Sequence, residues 1–255
     1  MTERKLILVT NDDSVNASGI HALVDVATQF GDVVVVAPDK PQSGMGHAIT
    51  INHPLRLNEV NLFGQTKAYS CSGTPVDCVK LAIYEVLHRK PDLILSGINH
   101  GENSSTNVLY SGTMSAAIEG AMEGISSIGF SLADYDANAD FEPTKYFSAK
   151  IIEKALNSNF PKGICLNVNV PKLKIPEIKG IKICKQAHAF WEDRFEKRLD
   201  QFGRPYYWLS GEFSDEDKRE DTDLHMLKNG YVSIVPTLYD LTAYEKMNEF
   251  ENWKL

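Results

Sequence analysis

Two adjacent carboxylates, Asp12 and Asp13, stand where the apolar run of ILVTNDDSVNASGIHAL gives way to a small polar loop. Like charges held side by side repel, so such a pair either raises one pKa or demands a cation between them. Other hard oxygen donors lie in later loops of the same kind: Ser43 in APDKPQSGMGHAIT, and Asn99, Asn103 and Asn107 in SGINHGENSSTNVLYSGT. Oxygen ligands without histidine or cysteine suit Mg²⁺ or Mn²⁺, with Ca²⁺ also able to occupy the site, rather than a structural zinc. The simpler alternative is that Asp12 and Asp13 only cap a helix beginning near Ala17. A pair facing Asn- and Ser-rich loops favours the cation over the cap.

A second feature suits an anion. Ser111-Gly112-Thr113 precedes a helix expected from about Met114, and Ser72-Gly73-Thr74-Pro75 precedes another, with Pro75 in its first turn. Each arrangement offers free backbone N–H groups and a hydroxyl at a helix N-terminus. Thr74 reads as an ordinary N-cap. Ser111–Thr113 continues from the asparagine loop and reads as an anion site. No GxxxxGK[ST] pattern occurs and no GxGxxG follows a strand, so those two routes to nucleotide binding are unsupported. His47, His53, His100 and His188 are candidates for acid–base work, and His47 and His100 lie in the presumed site loops.

Positioning these groups requires strands whose ends share one edge. Residues 5–10, 32–38 and 91–97 read as buried parallel strands, continued by 125–133 and 163–171. Amphipathic helical segments alternate with them: GIHALVDVATQFG, PVDCVKLAIYEVLHRK and SAAIEGAMEG. The alternation predicts an α/β fold with a doubly wound, mostly parallel, Rossmann-like sheet and right-handed crossovers. Ligands in such folds sit beyond the C-terminal strand ends. The last third differs. RFEKRLDQFGRPYYWLSG predicts a long hairpin turning at Gly203, Arg204 and Pro205, and its Tyr206-Tyr207-Trp208 cluster is expected to pack on another subunit. A strand at 231–237 and a short helix from about Thr242 follow. The chain reads as a single domain, 1–255, with a core of 1–185 and an extension of 186–255 serving oligomerisation.

The 255 residues are 43% hydrophobic and 24% charged, as in an ordinary globular protein. The net charge of −8 with no basic stripe speaks against a nucleic-acid polymer as partner. No run approaches the ~20 apolar residues of a membrane helix, and MTERKLILVTNDD is too short in apolar residues for a signal peptide. Cys71, Cys78, Cys165 and Cys184 form no CxxC pair and read as reduced core residues. A cytoplasmic location follows.

The blocks ILVTNDDSVNASGI, VVAPDKPQSGMG, CSGTPVDCV, PDLILSGINHGEN, YSGTMSAAIEG, LNVNVP and NGYVSIVPTLYDLT, in that order, resemble the SurE (survival protein E) nucleotidases. The resemblance implies a Rossmann-like core and a swapped C-terminal extension that builds homodimers or homotetramers. It also implies one divalent metal ion per subunit and hydrolysis of nucleoside 5′-monophosphates, with 3′-monophosphates and short polyphosphate as further substrates. Metal ligands then fall on Asp12, Asp13, Ser43 and Asn99, with Asp12 and Asp13 also catalytic. Substrate contacts fall around Asn11, Gly44, Asn103, Asn107, Ser111, Gly112 and Thr113. Ser14 stands where the family commonly has glycine, Lys40 where arginine is frequent, and Asn107 lacks a negative charge often found beside the site.

Three rival readings share this chemistry. A phospho-accepting receiver has an acidic pair after its first strand, but its third strand should end in an aspartate, and here Ser96-Gly97 stand there. A hydrolase with an aspartyl-phosphate intermediate expects Asp-x-Asp, whereas Asp12 and Asp13 are adjacent. A non-enzymatic metal-binding protein on the same core differs only in lacking turnover.

Overall fold

The apolar run ahead of the acidic pair forms β1 (Leu6–Thr10). Ile7, Leu8 and Val9 are fully buried, as a strand covered by helices on both faces must be. The computed structural model describes residues 4–251 and 253. The signal-peptide reading of residues 1–3 and the end of the extension, residues 252, 254 and 255, lie outside the described residues.

After β1 come α1 (Ser18–Ala27), β2 (Asp32–Pro38), β3 (Leu57–Val60), β4 (Lys67–Cys71) and α2 (Pro75–Leu81). Then follow β5 (Leu93–His100), α3 (Gly112–Met122), β6 (Ser127–Leu132), α4 (Glu142–Leu156) and β7 (Ile164–Val170). The remainder comprises β8 (Ile181–Ile183), β9 (Phe190–Leu199), β10 (Pro205–Ser214), α5 (Asp223–Lys228), β11 (Val232–Leu238) and α6 (Met247–Glu251).

Among the described residues the strands form a nine-stranded sheet ordered β3-β4-β2-β1-β5-β6-β7-β11-β8. From β4 to β7 every neighbouring pair is parallel; β3 and β11 run antiparallel to β4 and β7. The chain winds outward through β2 and β4, then returns to lay β5, β6 and β7 on the other side of β1. Strand order therefore reverses between β1 and β5, where α/β sheets open a crevice at their carboxyl ends. Asp12 and Asp13 leave β1 there, and Asn99 lies near the end of β5.

Alternate strand residues face opposite ways. Ile7, Val9 and Leu95 pack with Ile20 and Leu23 of α1 and Phe147 and Ile151 of α4. Leu8, Val36 and Ile94 pack with Cys78 and Val79 of α2 and Ala116 of α3. All four cysteines are free and buried, in accord with the core reading. No helix among the described residues is long and apolar enough to cross a membrane.

Several boundaries differ from those expected. β5 begins later than residue 91 and runs on to His100, so Asn99 is a strand residue rather than a loop residue. The segment from Pro75 does not continue as one helix to residue 90. α2 stops at Leu81 and widens into a π-turn over Ala82–Val86, where the Tyr84 hydroxyl reaches Glu123 at 2.9 Å. β3, β4 and α4 lie beyond the expected elements. LNEV, at the sheet edge, and KAYSC, next to it, are short strands of mixed residues with little pattern of their own. α4 carries Phe147 and Ile151 at helical spacing behind Pro143 in its first turn.

The expected hairpin is present and longer than 195–209. β9 and β10 pair antiparallel from Pro205↔Leu199 to Ser214↔Phe190, as a two-stranded sheet of their own. Every residue of β9 is exposed, and Phe195 and Trp208 stand 68% and 59% exposed.

Candidate active site

Asp12 is buried at the crevice. Its Oδ1 accepts from the Thr113 hydroxyl, and its side chain lies against Gly112. A Cβ on Gly112 would stand 2.6 Å from Asp12 Cβ and 2.8 Å from Oδ2, so glycine is what lets the first turn of α3 close on this carboxylate. Burial, then the charge of Asp13, push the pKa of Asp12 up to about 6 against the pull of Thr113. Asp13 is half-buried. Burial raises its pKa as well, while the His100 amide, 3.5 Å from Oδ2, works the other way.

The two carboxylates do not cap α1. Its N-cap is Ala17, with no side-chain hydrogen bond. The turn between them and the helix is held by Asn11, whose Nδ2 donates to the Ser14 carbonyl at 2.9 Å. Ser14 adopts φ 92°, in the left-handed region that favours glycine. Asn11 thus supports the acidic pair, and its buried Oδ1 has no partner among the described residues.

Ser43 arrives through its neighbour. The Gln42 amide donates to the Asp12 carbonyl at 2.7 Å, which ties the exposed loop that carries Ser43 and Gly44 to the backbone of the pair. Asn99 donates through Nδ2 to the carbonyls of His100 and Gly101, at 3.0 and 2.8 Å. That fixes the amide and leaves Oδ1 to accept. Ser111 is the N-cap of α3, its Oγ taking the Met114 amide at 3.0 Å. The helix therefore starts at Gly112 rather than Met114. The Thr113 amide, like its hydroxyl, is turned to Asp12, and the Gly112 amide is the orphan N–H of this first turn that faces the carboxylate. Thr74 is the ordinary cap expected, in a capping box with Asp77.

Asn103 is buried in a polar network that sequence inspection missed. Its amide donates to Asn169 Oδ1 (2.7 Å) and its Nδ2 to Ser131 Oγ (2.8 Å), while its carbonyl accepts from Asn167 Nδ2 (2.7 Å). Asn167 and Asn169 alternate with apolar residues on β7, so both point to one face. Two buried asparagines in a strand otherwise apolar were the available signal.

Asn107 does not join the site as expected. Its Oδ1 accepts from Trp191 Nε1 at 2.9 Å, which commits it to the root of the hairpin. Its neighbours do the same. Ser105 Oγ lies 2.9 and 2.8 Å from the carbonyls of Ala187 and Ala189, and the Ser105 amide donates to Asp223 Oδ2 at 2.8 Å. Among the histidines, His47 contacts Glu119, His100 packs edge-on against Phe141, and His53 and His188 are exposed.

Among the described residues no three His, Cys, Asp or Glu side chains gather as a metal centre. A cation here would be held by two carboxylates together with neutral oxygens. Residues 7–193 match the family model described as Survival protein SurE.

The chain belongs to the SurE family.

It is 60% identical over 254 residues to the 5′-nucleotidase SurE of Flavobacterium johnsoniae, covering 99% of this chain and 98% of that protein. It is 46% identical over 254 residues to the 5′-nucleotidase SurE of Phocaeicola vulgatus, at the same two coverages. The crystal structure of the SurE protein from Aquifex aeolicus superposes with a TM-score of 0.84 at 40% identity, over 96% of this chain and 98% of that chain. The SurE match takes in every strand from β1 to β8 and ends inside β9, so the crevice lies wholly within it.

Proposed function

We propose that this protein is a metal-dependent 5′-nucleotidase, a phosphomonoesterase that releases phosphate and nucleoside from nucleoside 5′-monophosphates. The observation that carries this reading is the Asp12–Asp13 pair, drawn out of water and pressed against the first turn of α3. Neither carboxylate is ion-paired to a lysine or arginine among the described residues. Two uncompensated carboxylates are costly in a buried place unless a cation joins them. The raised pKa of Asp12 and the unpartnered Asn11 Oδ1 both fit a cation-binding crevice. The names of the relatives supply the substrate.

Asp12, Asp13, Ser43 and Asn99 would hold Mg²⁺ or Mn²⁺, all four offering oxygen. When bound, the ion supplies Lewis-acid charge to a phosphoryl oxygen and to a water. The Thr113 hydroxyl and amide keep Asp12 oriented, and the Gly112 amide, at the positive end of the α3 dipole, would receive a phosphoryl oxygen. Gly44 and Asn103 bound the phosphate from the two flanking loops. Asp13, with one amide contact among the described residues, keeps a carboxylate oxygen to orient the attacking water.

The finer reading adds 3′-monophosphates and short polyphosphate, which present the same phosphoryl group. It also places the protein in the cytoplasm, where four free thiols persist, and assigns residues 186–255 to a homodimer or homotetramer, because the hairpin exposes aromatic side chains on both strands.

The test is phosphate release from a panel of nucleoside monophosphates and p-nitrophenyl phosphate, with EDTA and then with Mg²⁺ or Mn²⁺ restored. Release should vanish with chelator and return with metal. Stable labelling by acetyl phosphate without turnover would instead support a phospho-accepting protein, and no release with any metal would overturn the assignment.

A further inference from the structure

Glu119 lies about two turns along α3 from Gly112 and has no part in the chemistry above. It is 2% exposed, yet its carboxylate meets two basic side chains: Oε1 is 2.5 Å from Lys80 Nζ on α2, and Oε2 is 2.8 Å from His47 Nε2. Burial alone would push its pKa up, but the hydrogen bonds from His47 and Lys80 prevail and hold it below the ordinary value. The Lys80 contact packs α2 on α3. The His47 contact reaches elsewhere, because His47 belongs to the irregular loop between β2 and β3.

That loop carries Ser43 and Gly44 at an exposed tip, with Gly44 and Gly46 at φ 75° and 57°. Before the tip, Gln42 is tied to the Asp12 carbonyl. After it, the Gly46 amide donates to the Tyr110 carbonyl at 3.2 Å, His47 meets Glu119, and the Ala48 carbonyl accepts from Thr74 Oγ1 at 2.7 Å. The tip is therefore held before it by the backbone of the acidic pair, and after it by the segment leading into α3, by Glu119 and by Thr74 at the start of α2. Of these, the Glu119 contact is the one made to the helix whose first turn faces the pair.

We propose that Glu119 and His47 are positioning residues: their contact clamps the loop to α3 and so fixes Ser43 and Gly44 over the Asp12–Asp13 pair. The inference rests on the reading of Ser43 as a cation ligand. It gives the ligand loop and the phosphate cradle a common support, since one helix bears Gly112 and Thr113 at its start and Glu119 further along.

The test is Mn²⁺ binding to the full-length protein, followed by calorimetry and by the spin-resonance signal of free Mn²⁺, with phosphate release against Mn²⁺ concentration alongside. His47→Ala leaves Glu119 its Lys80 contact, so the variant should stay folded in EDTA with only a modest fall in melting temperature. It should weaken Mn²⁺ binding about tenfold, the scale of one lost hydrogen bond to a charged group, while kcat at saturating Mn²⁺ stays within about threefold. His47→Gln keeps a nitrogen donor for Glu119 and should recover most of the affinity. Wild-type Mn²⁺ affinity in His47→Ala would overturn the clamp alone. Equally weak binding by a normally melting His47→Gln would also overturn it. A wild-type protein that binds no Mn²⁺ would remove the reading of the site, and the clamp with it.

Discussion

Replacing Asp12 with asparagine should stabilise the metal-free protein while destroying its function. Asp12 has a folded-state pKa of about 6 against an ordinary 3.8, so the folded chain holds this proton more tightly than the unfolded chain. Stability from this group is therefore full at acid pH and is lost as pH rises from roughly 4 to 6. A rise of about two units corresponds to about 3 kcal/mol at neutral pH. Asparagine carries no charge and keeps an oxygen for the Thr113 hydroxyl, but its Nδ2 must fit against Gly112. The expected net gain is about 1–3 kcal/mol at pH 7. Urea denaturation in EDTA, at one protein concentration and across pH 4–7, reads it directly. The variant's advantage should be near zero at pH 4, grow to pH 6 and then level off. Adding Mn²⁺ at about 100 times its Kd should return about 2.7 kcal/mol to the wild type and little to the variant. A variant less stable at every pH, by a constant margin, would refute the reasoning that the crevice stores an uncompensated charge.

Gly112→Ala should lower phosphate release by at least about 100-fold with the circular dichroism unchanged, because its methyl group would push Asp12 aside by a distance that matters to chemistry; near-normal kcat would show that Asp12 tolerates displacement. Ser14→Gly should raise stability by about 1 kcal/mol in denaturant titration, since the left-handed backbone there costs serine and not glycine. Deleting residues 195–209 should lower the assembly state seen by light scattering, and an unchanged mass would separate the hairpin from oligomerisation.

Much of the scaffold was legible because its signals are local. KLILVT and DVVVVAP are β-branched runs of strand length, and the alternation of such runs with helical segments sufficed to bring Asp12, Asp13 and Asn99 to one edge. Thr74-Pro75 announces its helix by cap and first-turn proline. The parts that escaped depend on partners distant in sequence. Nothing near His47 signals Glu119, 72 positions away. Asn107 looks like one more carboxamide of the site loop until Trp191, 84 positions on, claims it. The Asn103–Asn167–Asn169 network needs β7 to arrive beside β6 before any of its bonds exist. Edge strands such as LNEV lack a pattern because half their surface is wet. α4 is a different case: its helical spacing was available, and no distant partner was needed to see it.

The fastening of Ser105 and Asn107 to the root of the hairpin has a consequence for how the molecule comes into being. Those bonds close intervals of 82 to 118 residues, among the most non-local in the chain. Such closures carry a loop-entropy cost that is recovered only after both partners are already ordered. The β1–β2 and β5–β6 units assemble from near neighbours and can form early. The loop that delivers Asn103 cannot settle until residues 187–191 and Asp223 have come home. During refolding from denaturant, the far-ultraviolet signal should therefore recover ahead of catalytic competence. A nascent chain still lacking its last seventy or so residues should be folded in outline and inert, so competence would be the last property the chain acquires.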